Sequence, residues 1–155
     1  MYKWNQLGKS AVLIIMVAAI SITVWLNSGS VDLSLDANDG ELVELGKKIY
    51  LSQCASCHGE NLEGQPDWRV RKEDDKLPAP PHDETGHTWH HSDKLLIDLT
   101  KQGPKSVAGP DYKTDMPAYQ DILSDKEVVA VLSYIKNTWP ENVRNRHDGL
   151  NRPNN

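Results

Sequence analysis

Cys54-Ala55-Ser56-Cys57-His58 decides how the rest of this chain is read. Two thiols three residues apart, followed at once by an imidazole, have the spacing of a covalent haem attachment site. Each thiol can add to one of the two vinyl groups, and the same short turn places the histidine beneath the iron as an axial ligand. These are the only two cysteines among 155 residues, so one haem uses both and leaves no odd thiol.

Other uses of two cysteines fit less well. A thioredoxin-like site needs a βαβ context, which the sequence does not offer. Cys2His2 zinc is conceivable, because His82, His87, His90, His91 and His147 are available, but His58 stands where haem needs it and zinc does not. A plain disulfide is the third alternative in an oxidising compartment.

Outward toward the amino terminus, fourteen of the sixteen residues 11–26 are apolar. Lys3 and Lys9 precede the run, and no lysine or arginine follows it for twenty residues. That asymmetry predicts an amino terminus inside and the remainder exported. With Leu7 and Gly8 the segment reaches about 20 residues, enough to span a bilayer. Trp4 and Trp25 flank it as interfacial aromatics would. Residues 1–30 are therefore expected to be a retained single-pass anchor, or else a signal peptide cut after Ser30. Residues 31–40 read as a tether.

The remaining 125 residues make one domain. They hold all 22 acidic residues and 15 of the 17 Lys and Arg, a net charge of −7. Nothing suggests nucleic acid, and an acidic domain favours partners that present positive charge.

Asp39 is placed to cap a helix running to about Ser52, with Leu42, Leu45 and Ile49 at helical spacing. Gly46 within it marks a close helix crossing. Residues 59–91 show no sustained period and contain Pro66, Pro78, Pro80 and Pro81, a long loop for a small domain unless a haem fills the core. Ser92 caps an expected helix from Asp93 to Gln102, with Leu95, Leu96 and Leu99 inward and Gly103 as its stop. Residues 103–115 read as loop, and Pro117 as the start of a short helical turn through Ile122. Ser124-Asp125-Lys126-Glu127 is a capping box before a helix with Val128, Val131, Leu132 and Ile135 as its stripe, ended by Pro140. The expected haem domain spans 41–139, and residues 140–155 read as a polar, disordered tail.

The iron needs a ligand opposite His58. Met1 is the initiator and Met16 lies in the apolar run, which leaves Met116, in the Met116-Pro117 loop. The alternative is that Met116 is ordinary packing and a histidine takes the sixth position. A thioether there raises the potential and closes the coordination sphere, favouring electron transfer over gas or peroxide binding.

Together, the Gly46 and Tyr50 helix, Cys54-x-x-Cys57-His58, Met116-Pro117 and the Tyr134 helix resemble a class I c-type cytochrome over residues 40–139. The resemblance implies an all-α fold wrapped around one covalent haem c, with Gly46 and Tyr50 contacting the last helix near Tyr134. It implies a one-electron carrier and no small-molecule substrate. For a membrane-tethered bacterial member it implies an inner-membrane protein with its haem domain in the periplasm. The donor would be a quinol-oxidising complex and the acceptor a terminal oxidase. A fixed subunit of a dehydrogenase or oxidase complex is the runner-up, and a haem sensor the third reading. In such proteins a proline carbonyl after the motif accepts the N–H of the proximal histidine, and Pro66 is the candidate. Trp68 and Trp89 are candidates for haem propionate contacts through their indole N–H groups, or for packing against the ring. The cluster His82, His87, His90 and His91 departs from the family pattern. It reads as a solvated loop, a propionate contact or a second copper or zinc site. Lys101, Lys105 and Lys113, near the expected haem edge, read as a solvated face or as a local docking patch.

Overall fold

The computed structural model describes residues 33–152. The apolar segment 11–26 lies outside them, and none of the described helices is long and apolar enough to cross a membrane. The described residues are helical, without strands. In chain order they are α1 (Gly40–Ile49), a π-helical turn (Tyr50–Cys54), α2 (Ala55–His58), a 3₁₀ turn (Thr88–His90), α3 (Asp93–Gln102), α4 (Lys105–Ala108), α5 (Asp125–Thr138) and α6 (Glu141–Leu150).

Asp39 caps α1, its carboxylate accepting from the Glu41 and Leu42 amides at 3.0 and 3.1 Å. The amphipathic pattern then carries the chain to Ile49, where the turn widens. The Ala55 amide reaches back five residues to the Tyr50 carbonyl, and Ser52 Oγ donates to the Ile49 carbonyl. Such wide turns occur often at functional sites, and this one delivers the chain into the cysteine motif.

α1 crosses α5 at Gly46. A Cβ at that position would lie 2.0 Å from the Ala130 carbonyl oxygen and 2.9 Å from Tyr134 Cβ, so only a hydrogen fits. One turn on, the Tyr50 and Tyr134 rings meet at 5.5 Å. The Tyr50 hydroxyl donates to the Gly59 carbonyl at 2.8 Å, binding the crossing to the residue after His58.

The α5 capping box forms as the sequence predicts, Ser124 and Glu127 each bonding the other's backbone N–H. Its buried surface is wider than a single stripe: Val129, Ala130, Ser133 and Lys136 are buried along with Val128, Val131, Leu132 and Ile135. Two segments that the sequence did not reveal as packed cover the extra faces. The first is the tether. Leu35 and Ala37 are buried. The Leu35 amide donates to Asp93 Oδ2 at 3.0 Å, and the Asp36 amide donates to Ser133 Oγ at 3.1 Å. Lys136 Nζ donates to the Leu35 carbonyl at 3.0 Å. Residues 35–39 therefore belong to the domain.

The second is the expected disordered tail, of which residues 141–150 form α6. Its composition hides it, because Val143 and His147 are the side chains it turns inward, four residues apart. Pro140, which ends α5, also opens α6, where its missing N–H costs no hydrogen bond. Asn151 ties the helix end to α3, exchanging hydrogen bonds with Asp93 at 2.8 and 3.0 Å. Lys136 pairs with Asp148 at 2.6 Å.

His147 is wholly buried against Trp139, with Asp93 Oδ1 3.4 Å from Nε2. Burial holds its pKa below the ordinary value, outweighing the Asp93 carboxylate. The unfolded chain therefore takes up this proton first. The stability from a neutral His147 is complete above pH of about 6.5 and is lost as pH falls from there toward the lower folded value. Denaturant midpoints measured between pH 7.5 and 5 should fall with pH. His147→Phe should reduce the corresponding slope of the unfolding free energy by up to about 1.4 kcal/mol per pH unit.

Two smaller corrections concern the loops. Residues 105–108 form α4 inside the expected loop 103–115, whereas Pro117–Ile122 forms no helix. There the chain makes one turn, with the Ile122 and Leu123 amides on the Tyr119 carbonyl. On α3, Asp93, Leu96, Ile97 and Thr100 are the buried positions, while Leu95 and Leu99 are partly exposed.

Candidate haem-binding site

Cys54 closes the π-helical turn and is half-buried, while Cys57 is exposed on α2 and the two thiols are not joined to each other. Burial, aided by the neighbouring Cys57, pushes the Cys54 thiol up to about 11. A redox-active C-x-x-C lowers its nucleophile's pKa instead, so this pair is unlike a thioredoxin-type centre.

His58 ends α2 and is 8 % exposed. Its Nδ1 lies 2.8 Å from the Pro80 carbonyl oxygen. A carbonyl can only accept, so Nδ1 carries the hydrogen and Nε2 keeps its lone pair. Burial lowers the His58 pKa and the Pro80 bond opposes it. The outcome is a neutral imidazole held in the tautomer that a metal requires.

The proline is Pro80 and not Pro66, which is exposed. Residues 65–79 form an excursion closed at its base. The Gln65 amide donates to the Ala79 carbonyl at 2.8 Å, and the Ala79 amide to Gln65 Oε1 at 3.2 Å. Gly64, at φ +69°, lets Pro80 and Pro81 return against its backbone; a Cβ there would sit 2.4 Å from Pro81 N. The excursion moves the carbonyl's role fourteen residues down the chain.

Met116 is half-buried against the core, its amide bonded to Thr114 Oγ1 at 3.0 Å. Tyr119 brings this loop to the cysteine motif: its hydroxyl donates to the Gln53 carbonyl at 2.9 Å. Burial raises the Tyr119 pKa, with Cys54 and Cys57 as the neighbouring charges that add to it. On the other side, the Tyr119 and Gln120 amides donate to the Thr100 and Lys101 carbonyls at the end of α3. Lys76 Nζ binds Asp115 at 2.5 Å, joining the excursion to the residue before Met116.

The two tryptophans occupy different settings. Trp89 donates its indole N–H to the Glu84 carbonyl at 3.3 Å, so the propionate contact expected of it has no free donor in this arrangement. Its ring packs on the core and stacks on His90 at 3.7 Å. Trp68 carries the Arg69 guanidinium 4.0 Å from its ring centroid and stacks with the His87 ring at 5.3 Å.

The histidine cluster divides. His87 and His90 are exposed, with the His87 and His91 rings 5.4 Å apart. Among the described residues no group of three or more His, Cys, Asp or Glu side chains is placed to hold a metal ion. His82 turns the other way, its ring stacked on His58 at 4.0 Å and 23°. Burial drives its pKa well below the ordinary histidine value, and His58 and His87 lower it further. Of the three lysines, Lys101 pairs with Asp125 and Lys113 lies 4.0 Å from Asp75.

Sequence reasoning missed the roles of Pro80, Tyr119 and Trp139, and read His82 only as one of a histidine cluster. The Pro80-Pro81 pair directly ahead of a histidine was a usable signal, since it stiffens a backbone that has a carbonyl to present.

The donors fit a haem: two unpaired thiols, a buried imidazole with Nε2 free, and a thioether in a loop tied beside the cysteines. The family model described as Cytochrome c matches residues 43–139, more than half of the chain. The chain belongs to the cytochrome c family. As a member it is a haem-based electron carrier rather than a catalytic enzyme. No curated protein and no solved structure matches it significantly.

Proposed function

We propose that the chain carries one haem c, linked through Cys54 and Cys57 and ligated by His58 and Met116, and passes single electrons along a bacterial respiratory chain. The observation that carries this reading is the 2.8 Å contact of His58 Nδ1 with the Pro80 carbonyl, which leaves Nε2 as a ligand. When bound, the haem supplies an iron that cycles between ferrous and ferric without bond making. The protein holds the imidazole in one tautomer, supplies a second ligand from a loop fixed at Tyr119, and restricts water.

The apolar run 11–26 supports a single-pass anchor in the inner membrane, with the haem domain on the periplasmic side. A tether raises the effective concentration of membrane partners. The donor is read as a quinol-oxidising complex and the acceptor as a terminal oxidase.

Met116→Ala tests the ligand set. Loss of the thioether should lower the midpoint potential by on the order of 0.1 V or more and shift the ferric iron toward high spin. Redox titration with visible spectra measures both. An unchanged potential and spectrum would remove Met116 from the iron.

A further inference from the structure

We infer that His82 is a positioning residue for the proximal ligand: its ring, stacked on the face of His58, fixes the plane of that imidazole. The inference rests on the haem reading above and concerns a residue outside the ligand set.

The Pro80 carbonyl alone leaves a freedom. One hydrogen bond at Nδ1 fixes the tautomer and the direction of one ring edge, but the ring can still turn about that bond. A second contact on the ring face removes the rotation. His82 makes that contact, at 4.0 Å between centroids and 23° between planes.

His82 is itself held at its ring and at both backbone groups. Its Nδ1 is 2.8 Å from Oγ1 of Thr88, which is buried in the 3₁₀ turn. Its amide donates to the Leu62 carbonyl at 2.8 Å, and its carbonyl accepts from Trp139 Nε1 at 2.7 Å. The buried Tyr50 ring meets its edge at 6.3 Å and 74°. Pro80, Pro81 and His82 thus form one rigid unit that grips His58 at its edge and at its face. An aliphatic side chain would fill the volume, yet it has no flat surface to restrain rotation and no nitrogen for Thr88. Groups that orient a metal's ligands tune the metal as well. The plane of an axial imidazole sets the rhombic splitting of a low-spin ferric iron, so the stack has a spectroscopic signature.

The test compares haem-loaded full-length wild type with His82→Leu, His82→Phe and Thr88→Val by ferric electron paramagnetic resonance and redox titration. His82→Leu should shift the g-values by more than the wild-type linewidth, broaden them and move the midpoint potential. His82→Phe, which keeps a flat ring but loses the Thr88 bond, should shift the g-values less than His82→Leu even where it lowers the melting temperature. Thr88→Val, which keeps the His82 ring but frees its far edge, should likewise fall between wild type and His82→Leu, and carries the test if the leucine variant does not fold. A low-spin wild type whose g-values and potential are unchanged in His82→Leu, or in Thr88→Val where that variant carries the test, would overturn the inference and leave the haem reading standing. A wild type without haem would overturn both.

Discussion

Replacing Cys54 and Cys57 together with alanine should remove all haem staining from the band on a denaturing gel. The proposed attachment would add each S–H across a vinyl double bond, forming a C–S bond and placing the hydrogen on the adjacent carbon, with no net oxidation. These are the only cysteines in the chain, so nothing else can take over. Without them a haem would be held only by coordination through His58 and Met116, which denaturant abolishes. Each single substitution should leave one link and a weaker stain. The half-buried Cys54 and the exposed Cys57 differ in setting, so the two single variants need not lose stain equally. Stain persisting in the double variant would place the attachment elsewhere.

The second large effect is on folding. Gly46→Ala puts a methyl 2.0 Å from the Ala130 carbonyl oxygen and 2.5 Å from its carbon. Alanine is the better helix former, by roughly 1 kcal/mol. That gain is small against the clash, because the obstacle is the backbone of α5, which cannot swing aside like a side-chain end. Overpacking of this kind costs about 3 kcal/mol. In a domain of this size the melting temperature should fall by on the order of 10 °C. Separation of α1 from α5 would also disturb the Tyr50–Tyr134 contact and the Tyr50 bond to Gly59, adjacent to His58. Thermal melts of wild type and variant measure the effect, and equal melting temperatures would show that the crossing is loose.

What the sequence made legible was local and chemically unambiguous. Asp39, Ser92 and the Ser124–Glu127 box are caps whose partners lie within three residues, and each forms. Gly46 was readable because a glycine inside an apolar helix costs stability unless something presses on it. The motif Cys54–His58 carries its spacing in the sequence itself.

The misses are long-range. Nothing local says that the 65–79 excursion closes on itself, so the first proline after the motif was preferred to Pro80, which returns to His58 through Gly64. The helix at 141–150 has too few apolar residues for its period to show. Its buried side is built around a histidine, with bonds from Asn151 and Asp148 to residues far away in sequence. The arm at 35–39 is held by backbone groups, Leu35 and Asp36 donating and Leu35 and Ala37 accepting, which no side-chain pattern encodes. His82 was visible only as a member of a histidine-rich stretch, and its separation from His87 and His90 depends on which way the loop turns.

The most direct test of the haem carrier is the absorption spectrum of the full chain, produced together with a haem-attachment system, in both oxidation states. A sharp low-spin reduced spectrum, together with the weak long-wavelength sulfur-to-iron band in the oxidised protein, is the expected result and identifies His58 and Met116 as ligands. A high-spin spectrum, or no haem absorption at all, would contradict it.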